Sequence, residues 1–76
     1  MFKATIITSD KVLFEGDVRS VFLPGETGEF EVLELHKTIL SLLRQGNIVI
    51  NGETKIPVKR GAVRMSGDDL VAIVDE

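Results

Sequence analysis

The chain has 76 residues, of which 43% are hydrophobic, a net charge of −3 and no cysteine. These values predict one small folded domain over residues 1–76 and exclude a disulfide framework or a thiolate zinc site. The nine basic residues are scattered and no apolar run approaches the roughly 20 residues needed to cross a bilayer, so we expect neither nucleic-acid binding nor direct membrane insertion.

Short apolar segments alternate with turn signals through the first third of the chain. Residues 2–8 place Phe2, Ala4 and Ile6 on one face, and the segment ends at Ser9-Asp10, a pair that favours turns. Residues 12–23 continue as further short strands. This spacing of apolar runs and turns is typical of a small sandwich or barrel.

The last third of the chain gives the clearest strand signals. Asn51-Gly52 predicts a type I′ turn, because both residues tolerate a positive φ, and it joins residues 48–50 to residues 55–58 as a hairpin. Residues 70–74 are all apolar, which predicts a strand covered on both faces. We therefore expect an all-β fold: a small flattened β-sandwich or barrel of about 8–10 short strands.

Residues 31–45 leave two interpretations open. Their apolar side chains recur close to the i, i+3, i+4 spacing of an amphipathic helix, and Gly46 follows as a plausible helix C′ residue. Periodicity alone would make this segment an amphipathic helix of about three to four turns. The segment is therefore open between strand and helix.

A loop rich in glycine and glutamate precedes this segment. Glu26, Glu29 and Glu31 lie close to Gly25 and Gly28, so their carboxylates should be exposed and able to meet basic or amide groups of a partner. Affinity would come from an apolar patch, with Phe22, Phe30 and leucines of residues 31–45 as candidates. The simpler interpretation is that the acidic run is a solvated surface.

No group of residues forms a catalytic or metal-binding motif. His36 is the single histidine, and a small hydrolase or lyase using His36 with a nearby carboxylate is the one enzymatic hypothesis. Asp68-Asp69 lacks the further oxygen donors of a calcium loop. We expect no catalytic residue, no cofactor and no metal.

Several segments, in order along the chain, carry a family resemblance. They are Leu13-Phe14-Glu15-Gly16-Asp17-Val18, Leu23-Pro24-Gly25, Gly28-Glu29-Phe30, Gln45-Gly46-Asn47-Ile48, Val58-Lys59-Arg60-Gly61-Ala62-Val63 and Val71-Ala72-Ile73-Val74. Together they resemble the N-terminal β-sandwich domain of the epsilon subunit of rotary ATP synthases. Where that family has Pro-Gly-His-Ala-Pro, residues 34–38 keep only His36.

The resemblance implies a fold, a role and a set of partner-binding residues. It implies a flattened sandwich in a non-catalytic central-stalk (rotor) subunit, which links the gamma subunit to the c-ring and supports coupling of ATP synthesis to proton or ion transport. Glu29 matches the acidic residue of the tip loop that faces the ring, and His36 matches the histidine of the adjoining bend. Glu26, Gly28 and Phe30 complete the predicted partner-binding set.

The resemblance also implies a location and a domain composition. The protein would lie peripherally on the cytoplasmic face of the inner membrane as part of the complex. Family members commonly continue into a C-terminal helical hairpin, so the chain is expected to be a short form or an isolated domain. The alternative function is a free-standing protein-interaction module with the same sandwich fold.

Overall fold

The computed structural model describes residues 1–33 and 38–76, and within them the chain is all-β. Nine strands are found there, and no helix. They are β1 (Phe2–Ile7), β2 (Val12–Val18), β3 (Val21–Gly25), β4 (Gly28–Val32), β5 (Ile39–Leu43), β6 (Gly46–Ile50), β7 (Thr54–Val58), β8 (Arg60–Ser66) and β9 (Asp69–Asp75). The predicted fold class and the number of strands are confirmed.

The strands form one strongly bent sheet in the order β2-β1-β9-β8-β5-β3-β6-β7, with β4 paired to β3. Only Gly25 and Leu43 are in register between β3 and β5, so the sheet turns a corner there. The corner separates a first layer, β2-β1-β9-β8-β5, from a second layer, β4-β3-β6-β7. Among the strands described, β1 and β9 form the single parallel pair. The arrangement is a nearly closed β-sandwich.

The inward faces of both layers form one apolar core. Sixteen buried side chains belong to this cluster, including Phe2 and Leu70 from the first layer and Leu23 and Ile48 from the second. No polar side chain is buried in the part of the chain that the structure describes. Full burial of a large aliphatic side chain contributes about 1.5–3 kcal/mol. Packing in this core is therefore hydrophobic, and it acts together with the backbone pairing of β3 with β5 to hold the two layers against each other.

The predicted Asn51-Gly52 hairpin is confirmed. Asn51 and Gly52 both have positive φ, 53° and 71°, and the Glu53 N–H donates to the Ile50 carbonyl at 3.0 Å. These are the features of a type I′ turn. In the strands that follow, Ile50 is opposite Thr54, so Glu53 is one extra residue between the turn and β7.

The side chain of Asn51 has a second role, which the sequence did not reveal. Its Oδ1 accepts hydrogen bonds from the backbone N–H groups of Arg19 at 2.7 Å and Ser20 at 3.2 Å. The Asn51 N–H donates in turn to the Ser20 carbonyl at 2.9 Å. The hairpin turn therefore clamps the connection between β2 and β3.

In residues 31–45, the described part contains strand and no helix, so the helical alternative is wrong there. β4 ends at Val32, and β5 pairs antiparallel with β8 from Ile39 opposite Met65 to Leu43 opposite Gly61. Residues 34–37 lie outside the described residues. The spacing of apolar residues in this segment resembles that of a helix because β5 has leucines on both of its faces. Leu43 is buried, whereas Leu40 and Leu42 are exposed.

The expectation that residues 70–74 are covered on both faces is wrong for the isolated chain. Leu70, Ala72 and Val74 are buried in the core, but Ile73 on the opposite face of β9 is 57% exposed. Nothing within the described chain covers that side chain.

Candidate partner-binding surfaces

The hairpin between β3 and β4, called the tip hairpin here, joins four of the five predicted partner-binding residues. Gly25 is opposite Gly28, so Glu26 and Thr27 form the turn. Glu26 and Glu29 are exposed, Gly28 is half-buried and Phe30 is partly buried against the core. His36 lies outside the described residues. The hairpin thus presents exposed carboxylates at and beside its turn.

Two glycines give the tip hairpin its shape. A Cβ at Gly25 would lie 2.5 Å from the Gly28 carbonyl oxygen and 2.8 Å from the Phe30 ring. Gly28 has a φ of 145°, a conformation that residues with a side chain rarely adopt. Phe30 therefore packs directly over Gly25, and its position is that of a structural side chain of the hairpin.

Two backbone hydrogen bonds hold the tip hairpin against the first layer. The Glu26 N–H donates to the Leu42 carbonyl, and the Arg44 N–H donates to the Pro24 carbonyl, both at 2.9 Å. These bonds continue the contact between β3 and β5 at the corner of the sheet. The tip is consequently fixed to β5.

The tip carboxylates have no cationic partner among residues 1–33 and 38–76. The ion pairs found there join Lys3 to Glu15 at 3.5 Å, Lys11 to Glu76 at 3.1 Å and Arg60 to Asp75 at 2.7 Å. None includes Glu26, Glu29 or Glu31. These charges are therefore available to a partner.

A second surface, called the apolar face here, covers the outside of the first layer. Register alignment places one apolar residue from each of the five strands in a continuous cross-strand row. The row consists of Leu42, Ala62, Ile73, Ile7 and Val12, and the apolar face adds Leu40 and Val71 from the next row.

Exposure distinguishes the apolar face from an ordinary protein surface. Leu40 is 79% exposed, Val12 58%, and Leu42 and Ile73 57% each. Single exposed apolar residues are common, but a contiguous patch marks an interaction site. Sequence reasoning included the leucines of residues 31–45 in an apolar patch but missed Val12 and Ile73. The available signal was the unbroken apolar run of β9.

Charged pairs border the apolar face at opposite ends. Lys3 and Glu15 form one border, and Arg60 and Asp75 form the other. The hydrogen bond from Arg60 Nε to Asp75 and the attraction of that carboxylate raise the pKa of Arg60 above its ordinary value. An apolar centre with a polar rim is the usual anatomy of a protein–protein interface.

A groove connects the apolar face to the tip hairpin. Glu26 lines this groove together with Leu42, Ile73, Arg60 and Asp75. The predicted acidic residue and the exposed leucine therefore belong to one continuous surface.

The outer face of the second layer is different. Its cross-strand row runs from Glu31 through Phe22 and Val49 to Lys55. Phe22 and Val49 are half-buried, and the charged residues at the two ends are exposed. Phe22, expected to contribute to a partner-binding patch, thus lies on the layer opposite Leu40 and Leu42.

Neither a metal cluster nor a spanning helix is found in the described ranges. Their Asp and Glu side chains form no group of three or more suited to hold a metal ion. No helix in those ranges has the length and hydrophobicity required to span a membrane.

The fold is that of a small β-sandwich domain, with an acidic tip and one exposed apolar face. The chain belongs to the family of the ATP synthase delta/epsilon chain β-sandwich domain, whose family model matches residues 1–76. This membership agrees with the resemblance found in the sequence.

Similar proteins include ATP synthase epsilon chains from several bacteria. That of Sulfurovum sp. is 39% identical over 99% of this chain and 62% of its own length, and that of Nitratiruptor sp. is 40% identical over 96% and 60%. That of Chlorobium limicola is 28% identical over 99% of this chain and 90% of its own. The chain thus spans about three fifths of the first two relatives.

A solved structure has the same fold. It is a chain of the central stalk and c-ring of the mitochondrial ATP synthase of Tetrahymena thermophila, with a TM-score of 0.81. The match covers 97% of this chain and 63% of that one at 14% sequence identity. At this identity the likeness is one of fold.

Proposed function

We propose that this protein is a non-catalytic central-stalk subunit of a rotary ATP synthase, or its sandwich domain. Residues 1–76 form one domain that binds the gamma subunit through the apolar face and meets the c-ring through the tip hairpin. The observation that carries the proposal is the five-strand apolar row, which is exposed in a chain whose family assembles into ATP synthase.

The apolar face supports the contact with gamma. Leu40, Leu42 and Ile73 are large apolar side chains that water covers in the free chain. Burying apolar area contributes roughly 25 cal/mol per Å², and interface affinity is concentrated in such central side chains. These residues therefore favour binding to a partner that has a large apolar surface.

The tip hairpin supports the contact with the ring. Glu26 and Glu29 form no ion pair within residues 1–33 and 38–76, and they lie on a hairpin whose shape is set by its glycines and its bonds to β5. Charges of this kind orient an encounter and raise its rate more than they raise affinity. Glu29 is the residue that we assign to the ring contact, and His36 remains a predicted partner-binding residue of the adjoining bend.

The protein itself carries out no chemistry in this proposal. Its location is the cytoplasmic face of the inner membrane, where it is held peripherally by its partners. Coupling of ion flow to ATP synthesis would depend on its two contacts and not on a bound cofactor.

Co-expression with the gamma subunit and the c-ring of the same organism tests the proposal. The wild-type chain should co-purify with both partners. The double variant Leu42→Asp, Ile73→Asp should lose gamma by at least about 100-fold in affinity, because it places two desolvated carboxylates in the interface. Its melting temperature should stay near that of the wild type, since both positions are exposed.

A matched control uses the other layer. Asn47→Asp with Lys55→Asn introduces the same change of −2 in net charge at two exposed positions of the second layer. This control should bind gamma like the wild type. Failure of the wild type to co-purify would refute the stalk assignment. A stable homodimer in analytical ultracentrifugation that the double Asp variant abolishes would instead support the free-standing interaction module.

A further inference from the structure

We infer that the partner surface covering the apolar face carries a carboxylate that pairs with Arg64. This inference rests on the proposed function, because it specifies the chemistry of the surface that docks there. Arg64 would then contribute to the specificity for the partner and to the orientation in which the partner binds.

Arg64 projects from the middle of the apolar face. On β8 it alternates with Val63 and Met65, which are buried, so its side chain points outward. It is directly opposite Leu40 on β5 and Val71 on β9. The same three residues line a shallow depression together with Ala62 and Ile73. A partner that covers the leucines must therefore also cover the guanidinium.

The described chain offers Arg64 no carboxylate partner. None of the ion pairs in residues 1–33 and 38–76 includes it. Asp69 is the nearest carboxylate by register, diagonal to Arg64 on β9, and it forms no ion pair with it. Glu15 lies in the same cross-strand row but three strands away, about 14 Å at ordinary strand spacing, and is paired with Lys3.

Docking would bury the Arg64 guanidinium, and this burial costs free energy unless the partner supplies a counter-charge. A guanidinium removed from water without a counter-charge loses several hydrogen bonds and its hydration. A carboxylate accepts two parallel N–H bonds from arginine and offsets this loss with defined geometry. Neutral apolar groups on the partner could pack against the leucines, but they could not pair with the Arg64 guanidinium. The chemistry therefore favours an acidic residue on the partner.

The test is a binding titration of full-length variants against the gamma subunit of the same organism at fixed ionic strength. Arg64→Met keeps an unbranched side chain of similar length but removes the charge and all donors, and it should weaken binding by at least about 30-fold. Arg64→Lys keeps the charge without the planar fork and should retain most of the binding that Arg64→Met loses.

Two variants serve as controls. Lys55→Met removes an exposed cation from the second layer, away from the apolar face, and should change affinity by less than about threefold. Asp69→Asn removes the nearest internal carboxylate and should leave affinity unchanged or slightly higher. Melting temperatures of all variants should match the wild type, since these positions are exposed.

The results separate this inference from the function on which it rests. If Leu42→Asp, Ile73→Asp abolishes binding while Arg64→Met binds as tightly as the wild type, the docking surface stands and the acidic partner residue is refuted. Weakening by Asp69→Asn equal to that by Arg64→Met would overturn it in favour of an internal pair formed on docking. If the wild-type chain does not bind gamma, the proposed function itself fails.

Discussion

The outer faces of the two layers differ although the same alternation of side chains builds both. On the first layer the outward positions of the central row are Leu42, Ala62, Ile73, Ile7 and Val12. On the second layer the corresponding row begins with Glu31, ends with Lys55 and leaves its two apolar members half-buried. The second row is suited to water, and the first is suited to another protein.

This difference explains the composition of the chain. A sandwich of this size buries only about 60% of the surface of its unfolded chain, so apolar residues beyond the needs of the core must remain outside. Among the described residues, six large apolar side chains are more than half exposed, and four of them, Val12, Leu40, Leu42 and Ile73, lie on the apolar face. A partner bound to that face would add the missing apolar burial.

The largest expected effect comes from two adjacent leucines on β5. Leu43 is buried and Leu42 is 57% exposed. Leu43→Ala should lower the free energy of unfolding by about 2–5 kcal/mol through a core cavity. Leu42→Ala should change it by less than about 0.5 kcal/mol. Thermal and urea unfolding of the two variants provides the measurement.

The same pair should show the reverse order in partner binding. Leu42→Ala should weaken binding to gamma by roughly 5- to 30-fold, because it removes apolar area that docking would bury. Equal losses of stability in the two variants would remove the distinction between an inner and an outer leucine.

The second largest effect on stability is expected at Asn51, whose side chain clamps the connection between β2 and β3. Asn51→Gly keeps the positive φ but removes the acceptor of the Arg19 and Ser20 N–H groups. It should lower the free energy of unfolding by about 1–2 kcal/mol, which corresponds to roughly 4–16 °C in Tm for a domain of this size. Affinity for gamma should not change.

Asn51→Asp keeps an acceptor oxygen at the same place and provides the control. Its stability should stay near that of the wild type. A decrease as large as that of Asn51→Gly would mean that the carboxamide group, and not the acceptor, is what the turn requires.

The smallest effect is expected at the tip. Glu29→Gln should lower the association rate with the c-ring by about two- to fivefold at low salt, with little change in the dissociation rate. The difference should shrink at 0.15 M salt and above, because the Debye length falls to about 8 Å. Stopped-flow association over a salt series measures this. Glu53→Gln, an equal charge change at the Asn51-Gly52 turn, should have no such effect.

Local signals in the sequence predicted the all-β fold, its strand number and the Asn51-Gly52 hairpin. They could not predict the parallel pairing of β1 with β9 or the bonds from Asn51 to Arg19 and Ser20, because the pairing and the bonds join residues far apart in sequence. Turn chemistry depends on two neighbouring residues, whereas sheet order depends on the whole chain.

The helical alternative for residues 31–45 has a physical origin in the apolar face. Alternating polar and apolar residues identify a strand that has one face in the core and one face exposed to solvent. In β5, however, Leu40 and Leu42 make the outer face apolar as well. The fully apolar β9 has the same cause. Both departures from a simple strand pattern fall on the surface that we assign to a partner.

The candidate site was predicted in part. Glu26, Gly28, Glu29 and Phe30 were expected near one another, and the tip hairpin brings them together because Gly25 and Gly28 permit its turn. Their roles in binding stay predictions, as does that of His36. Arg64 was not singled out, because its significance comes only from its apolar neighbours across β5 and β9.

The two hydrogen bonds between the tip hairpin and β5 make the tip a suitable position for an orientation label. Since Glu26 and Arg44 exchange backbone bonds with Leu42 and Pro24, the tip turns with the body of the sandwich and does not swing as a free loop. A dye attached at the exposed turn residue Thr27 through a short linker would therefore report the orientation of the entire subunit. In single-molecule recordings of the proposed complex, such a label would test whether the domain rotates with the central stalk.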